Sequence, residues 1–438
     1  MMYKKPQSNA LNLSHGSPGF LGICMPVFLN KRVNVDGLFL REVREGSTTV
    51  YIPDIEKYVR NRSEYIPTSL PVFYNPQAEL SRDTTVLIVS AFIRDSVIND
   101  MIYLEAMAGT GIRGFRVLNE TKVNKTLRII LNDANPFAAK LMEINKKEFF
   151  NNTPHVEIYN TDANYLFNSL RLRNLCPNII EIDPAGTPAP FLFDAIRCIK
   201  IGGMLIVTAT DTSCLYGKYP DACMRKYGSY VIINPFPREI GVRVLLYAIG
   251  HEASKISRSI IPLFSLATHN FVRVAVKIER GKTKANDFWK HQVGWILFCP
   301  ACLYFEIYKG FSNIPHTRKC PRDKMELSLL GPLYVGKIYD ENFVRNMLQV
   351  LPQMKFSAQN KRLLEKYLMW MLESRHIPLY YSLREIARRI KTSIPSINGV
   401  IETLRSKGYI ATRTHFDETG IKTNANIDEV YATFLAYV

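Results

Sequence analysis

The sequence is short of cysteine, of acid and of long apolar runs, and each shortage excludes a class of protein. Eight cysteines scattered over 438 residues are too few for a disulfide-stapled secreted scaffold and fit a reducing compartment, so the cytoplasm is the expected location. No uninterrupted apolar run reaches the roughly 18 to 20 residues needed to cross a bilayer, and no membrane partner is expected. Residues 22–29 are apolar, but the stretch is short and has no signal-peptidase pattern beside it. Acids number 39 against 56 lysines and arginines, a formal net charge of +17, which favours a polyanionic partner and salt-sensitive binding. The plainer reading is a basic enzyme whose surplus cations only solvate it. With 47% hydrophobic and 22% charged residues the chain is folded material, long enough for two or three domains.

What the sequence does have is a series of apolar segments that end in acids. Residues 102–105 break into Gly109-Thr110-Gly111-Ile112-Arg113-Gly114, which reads as a buried strand, a tight turn and a helix start, with glycines where a nucleoside would approach the backbone. Alone this motif is weak. It is reinforced by residues 128–133, 156–162, 178–183 and 202–211, which close on Asp133, Asp162, Asp183 and Asp211. Residues 135–147, capped by Asn135 with Pro136 at the first position, read as a crossover helix. Strands and helices alternating over short connections predict a doubly wound, Rossmann-like α/β sheet. Ligands of such sheets sit beyond the carboxyl ends of the strands. Four carboxylates there would repel a pyrophosphate. They suit S-adenosylmethionine, with its ribose, adenine amine, α-amine and sulfonium.

Taken in order, residues 1–40 carry little pattern and read as a variable N-terminal extension. Residues 41–278 form the Rossmann-like domain. It includes a strand over 48–53, a Pro-bounded loop over 71–76 carrying Phe73 and Tyr74, and an apolar helix over 84–92. Polar, basic residues 214–230 read as a loop over the site, and 270–278 as a closing strand. Residues 279–438 form a C-terminal α+β domain. Within it, Cys299-Pro300-Ala301-Cys302 and Cys320-Pro321-Arg322-Asp323 pair as two knuckles across 299–323. Thiolates at this spacing occupy corners of a tetrahedron, and Asp323 stands where a fourth Cys is usual. Two readings stand: zinc held by three Cys and an Asp, or a degenerate ribbon that has kept its fold without metal. In 376–438, helices over 381–390 and 396–405 followed by a hairpin over 408–416 outline a winged helix, a nucleic-acid reader or a plain packing interface.

From about Arg41 to its end the chain resembles the tRNA guanine-26 N2-methyltransferases. The resemblance is carried by Val72-Phe73-Tyr74-Asn75-Pro76, the glycine motif at 109–114, Val207-Thr208-Ala209-Thr210-Asp211, Arg225-Lys226-Tyr227, Thr412-Arg413-Thr414-His415-Phe416 and Gly420-Ile421-Lys422-Thr423. It implies transfer of one or two methyl groups from S-adenosylmethionine to the exocyclic N2 of guanine 26, with tRNA as partner and no obligate protein partner. It further implies that Arg82 binds the methionine part of the donor and that Asp133 and Asp162, with Ala163 alongside, hold ribose and adenine. Glu105, Gly109 and Gly111 complete the donor site. Phe73 and Tyr74 lie near the target base, and Asp183, held by Pro184, is the leading catalytic candidate beside the methyl. Arg225, Lys226, Arg413 and Lys422, with the helix over 396–405, are candidates for RNA backbone contacts, the plainer reading being solvated surface. Two departures stand out: the usual Asp-Pro-Phe-Gly is Asp183-Pro184-Ala185-Gly186, and the usual Asp after the first strand is Glu105. The alternatives are a methyltransferase with shifted guanine or RNA specificity, or a tRNA-binding protein whose catalysis has decayed.

Overall fold

The computed structural model describes residues 26–59, 66–121, 125–151, 153, 155–310 and 318–438. It opens with an antiparallel meander, β1 (Val27–Val35), β2 (Leu38–Glu45) and β3 (Thr48–Pro53). Two strands therefore begin inside the segment read as an extension, which corrects that boundary. The period-two signal is blurred there by a register shift between Phe28 and Arg32. Leu38, Leu40 and Tyr51 pack against Ala138 and Leu141 of helix Pro136–Phe149.

The central sheet has β4 (Asp100–Glu105), β5 (Thr126–Asn132), β6 (Val156–Tyr159), β7 (Ile179–Ile182), β8 (Met204–Ala209), β9 (Arg258–Ala267) and β10 (Val272–Arg280) in the order β6-β5-β4-β7-β8-β10-β9. Strands β4 to β8 are parallel, and β10 runs antiparallel to both β8 and β9. Every residue of β7 and β8 is buried, which is why these strands read as near-continuous apolar runs, broken in β7 only by the buried Glu181. Helix Glu79–Asp95 is buried nearly all round. Helices Glu341–Val350 and Ala358–Glu373 cover it, with Asn346 Nδ2 donating to the Ala91 carbonyl at 2.8 Å and Asn360 Nδ2 to Asp83 Oδ2 at 2.8 Å. One hydrophobic core thus runs across the boundary at residue 278.

Beyond it, β11 (Val293–Phe298), β12 (Phe305–Lys309) and β13 (Ser328–Tyr334) make a small sheet bearing the two knuckles. The winged part has helices Leu383–Ile390 and Ile397–Ser406 with strands β14 (Tyr381–Ser382), β15 (Ala411–Arg413) and β16 (Gly420–Thr423), ordered β14-β16-β15. The hairpin therefore joins β15 to β16 and not 408–410 to 411–416. Gly408, at φ +87°, and Tyr409, whose N–H donates to the Leu404 carbonyl at 3.0 Å, only close the preceding helix. Residues 214–230, read as a loop, hold helix Pro220–Tyr227, started by Pro220 and stopped by left-handed Gly228. No helix among the described residues is long and apolar enough to cross a membrane.

Candidate active site

Strand β4 has β5 on one side and β7 on the other, so chain order reverses there and a crevice opens beyond its carboxyl end. Gly109 and Gly111 sit in this crevice at φ +54° and +77°, backbone that side-chain-bearing residues rarely adopt. A Cβ at Gly109 would stand 3.0 Å from the Phe73 carbonyl oxygen, so the loop bearing Phe73 lies directly on the turn. Asp133 Oδ2 accepts from the Gly109 N–H at 2.8 Å, and its Oδ1 from the Asn135 N–H at 2.9 Å. Asn135 in turn donates to the Pro71 carbonyl at 2.7 Å. Asn132 Nδ2 bridges the carbonyls of Ala106 (2.9 Å) and Thr161 (3.0 Å), tying the ends of three strands together. Asp162 is exposed and caps helix Ala163–Leu172 by accepting from the Tyr165 N–H at 3.0 Å, while Ala163 is buried behind it. Phe73 is 45% exposed.

Across β4 stands Asp183, with its side chain 16% exposed. Its Oδ2 accepts from Arg113 and, at 3.3 Å, from Arg273. Both arginines also reach Glu181 Oε1, at 2.5 and 2.9 Å. Arg113 Nε lies 3.3 Å from Glu105 Oε1, whose other oxygen accepts from the Gly114 N–H at 3.0 Å. Burial pushes the Glu105 carboxyl up to about 8 despite Arg113. Burial also opposes the charge of Arg113, but Asp183, Glu181 and Glu105 outweigh it and raise its pKa. The loop after Asp183 is fixed at both ends. The Gly186 N–H donates to Thr210 Oγ1 at 2.7 Å, and Thr187 Oγ1 to the Tyr227 hydroxyl at 2.9 Å. Tyr227 and Lys226 converge on Asp211 at 2.7 and 2.9 Å.

The profile of N2,N2-dimethylguanosine tRNA methyltransferases matches residues 46–434. The chain belongs to that family. It is similar to the tRNA (guanine(26)-N(2))-dimethyltransferase of Methanosphaera stadtmanae, at 34% identity over 390 residues covering 89% of this chain and 95% of that one. Its similarity to the enzyme of the same name from Saccharolobus solfataricus is 32% over 395 residues, covering 89% and 97%. Trm1 from Pyrococcus horikoshii, solved with S-adenosyl-L-methionine, superposes with a TM-score of 0.74 at 30% identity over 90% of this chain and 99% of that one. As a member of this tRNA methyltransferase family, the protein is an S-adenosylmethionine-dependent enzyme acting on tRNA guanine. The open glycine turn and Asp133, each of whose oxygens keeps a lone pair beyond its single backbone bond, fit that donor.

Not every residue expected at a methyltransferase site is free for it. Arg82 turns Nε and one terminal nitrogen to Glu45, at 2.7 and 2.6 Å, and the other to the Asn75 carbonyl at 3.1 Å. It thereby braces the loop beneath Phe73. Tyr74 is only 2% exposed, and its hydroxyl donates to Glu45 at 2.8 Å, which corrects its expected contact with the base. Lys422 is corrected as well: it is buried, its Nζ shared among Glu239 (2.7 Å), the Ile377 carbonyl (2.8 Å) and the Leu379 carbonyl (3.0 Å). Such an ammonium has no hydrogen left for a phosphate. Arg413 is half-buried and reaches Asn398 Oδ1 at 2.9 Å, whereas Arg225 is exposed. Missed by sequence reading were Arg273, Glu181, Ser81 and Thr85. Their signal was an acid two residues before Asp183, hence on the same strand face, and an arginine within the apolar alternation of β10.

The knuckle cluster is compact. Cys302 Sγ lies 3.5 Å from Cys320 Sγ, Cys299 Sγ lies 3.2 Å from Asp323 Oδ2, and all four ligand atoms fall within 4.8 Å of one another. Bonds of about 2.3 Å to a tetrahedral ion separate its ligands by roughly 3.8 Å, so the cluster fits such an ion.

Proposed function

We propose that the protein transfers one or two methyl groups from S-adenosylmethionine to N2 of guanine 26 in tRNA. The observation that carries this reading is Asp183, tethered through Oδ2 to Arg113 and Arg273 and partly exposed, with no hydrogen-bond partner on Oδ1 among the described residues, at the sheet end where the loop of the exposed Phe73 lies on the glycine turn. The donor, when bound, supplies an electrophilic methyl on a sulfonium. The exocyclic amine of guanine is a weak nucleophile because its lone pair is delocalised into the ring. Asp183 Oδ1 accepts one N–H of that amine, turns the lone pair toward the methyl, and meets the positive charge that develops on nitrogen, the surplus amine proton then passing to solvent once the methyl has been transferred. Most of the acceleration then comes from alignment and preorganised charge. A guanine within a stem must leave its stack to reach this crevice. Phe73 is the aromatic placed to receive it, with stacking worth roughly 1 to 3 kcal/mol.

Gly109, Gly111 and Asp133 line the donor side, with Asp162 and Ala163 next to the adenine, while Glu105, expected there too, is buried with its oxygens on Arg113 and the Gly114 N–H and supports the turn from behind. Arg82 supports the Phe73 loop, and Pro184 orients Asp183. Arg225, Lys226 and Arg413 are proposed as phosphate contacts. Zinc is the proposed ion for Cys299, Cys302, Cys320 and Asp323, with a structural role since the cluster fills all four positions. The sparse cysteines support a cytoplasmic location. Incubation with S-adenosylmethionine and unmodified tRNA transcripts, followed by nucleoside mapping, tests the reading. N2-methylated guanosine at position 26 supports it, and methylation at another guanine replaces the specificity while keeping the chemistry.

A further inference from the structure

The arginines behind Asp183 carry an inference that rests on the reading of Asp183 as acceptor. Arg273 lies mid-strand on β10, opposite Thr208 of β8 and Leu266 of β9, and is 0% exposed. Stripping a guanidinium of water is costly, and buried ion pairs are poor stabilisers compared with apolar packing. The cation must therefore be explained by what it holds. Its Nη1 donates to Thr85 Oγ1 at 2.6 Å and Glu181 Oε1 at 2.9 Å. Its Nη2 donates to Ser81 Oγ at 2.7 Å and Asp183 Oδ2 at 3.3 Å. Arg113, from helix Ile112–Glu120, approaches the same Glu181 and Asp183 oxygens from the other side. Both forks thus end on one oxygen of Asp183, and among the described residues its Oδ1 has no partner. A network that only braced the sheet would close on itself. This one leaves an acceptor outside it, Oδ1 of the partly exposed Asp183.

We propose that Arg273, together with Arg113, is a positioning residue for methyl transfer. The pair locks the carboxylate plane of Asp183 and reserves Oδ1 for the amine of guanine. Arg273 acts through Asp183 and touches neither donor nor base. Two cations on Oδ2 also draw charge from Oδ1, so the clamp favours orienting the N–H over removing it. Ser81 and Thr85 hold Arg273 in turn, which makes the N-terminal part of helix Glu79–Asp95 the anchor of the arrangement.

The test uses the full chain with S-adenosylmethionine and unmodified tRNA, measuring donor affinity, tRNA affinity and the single-turnover rate separately. Arg273→Met should slow single turnover about 100-fold while both affinities stay within about threefold, since small misplacements near a reacting centre have effects of that size. Arg273→Lys should recover about tenfold, and Ser81→Ala, which leaves the arginine in place, should slow the step about threefold. A wild-type rate in Arg273→Met overturns the proposal, as does a loss of rate that only tracks lost donor or tRNA binding. If Arg273→Met does not fold, Ser81→Ala decides alone: slower transfer with intact affinities supports the clamp, and an unchanged rate ends it. Asp183→Asn, run in parallel, separates the two layers. A near-normal rate there removes the acceptor reading itself, whereas an inactive Asp183→Asn beside a normal Arg273→Met removes only the clamp.

Discussion

At Glu105 the carboxyl is buried between Arg113 and the Gly114 N–H, and burial pushes its pKa up to about 8 from an ordinary value of 4.5. Between those two values the folded chain binds a proton that the unfolded chain has released. The stability this group contributes is full below about pH 4.5 and is lost as pH rises through about 8. Glu105→Gln should flatten the decline of melting temperature over that window, and a curve parallel to the wild type would acquit Glu105. Ala185 is exposed in the loop after Asp183, where an aromatic would meet the extruded base. Ala185→Phe is expected to raise turnover about fivefold or more through stacking, while identical rates and product ratio would show the position to be indifferent. Lys422→Met should leave Glu239 a buried acid with one cation fewer, a destabilisation of about 3 to 5 kcal/mol read directly by denaturant unfolding. Single residues were the hardest to place from sequence. Lys422 and Tyr74 sit in motifs that read as functional, yet both are committed to burial partners that lie far away in the chain.

Among the elements, the parallel strands were legible because each is an apolar run closing on an acid. Of the meander only β3 was legible, as the strand over 48–53; β1 and β2 were not, since their outward face is charged and their register shifts, nor was helix Pro220–Tyr227, whose polar surface imitates a loop. The knuckles were legible by spacing, but their attachment was not. Leu303 enters the core of the winged part. Arg389 donates to the Ala301 and Pro300 carbonyls at 2.9 and 2.8 Å, and Arg322 donates to Asp428 at 2.6 Å while lying over Tyr431. Stripping zinc from the loaded protein should therefore speed proteolysis within 376–438 and leave donor affinity unchanged. Equal loosening of the Rossmann-like domain would refute a local role.

For the whole molecule, the charge of +17 sets the expectation that tRNA affinity falls steeply with salt. Replacing Arg225 and Arg413 together with alanine should weaken binding to all tRNAs and reduce the salt slope by about one for each phosphate that is no longer neutralised. An unaltered slope would take both off the RNA surface. The charge excess was visible in composition, but which cations face solvent depends on packing that composition does not encode. Glu239, on helix Pro237–Ser254, accepts from Lys422 at 2.7 Å, Arg243 at 2.7 Å and the Leu379 N–H at 2.8 Å. Burial would raise its pKa, yet Lys422 and Arg243 hold it down at about 2, so the node stays charged at any physiological pH. It ties β16 to helix Pro237–Ser254 through buried charge-assisted bonds, which restrains the span from the wing to Asp183. The enzyme is then a caliper of fixed opening, and a tRNA lengthened by one base pair between the wing's footprint and the target should present the wrong nucleotide at the crevice.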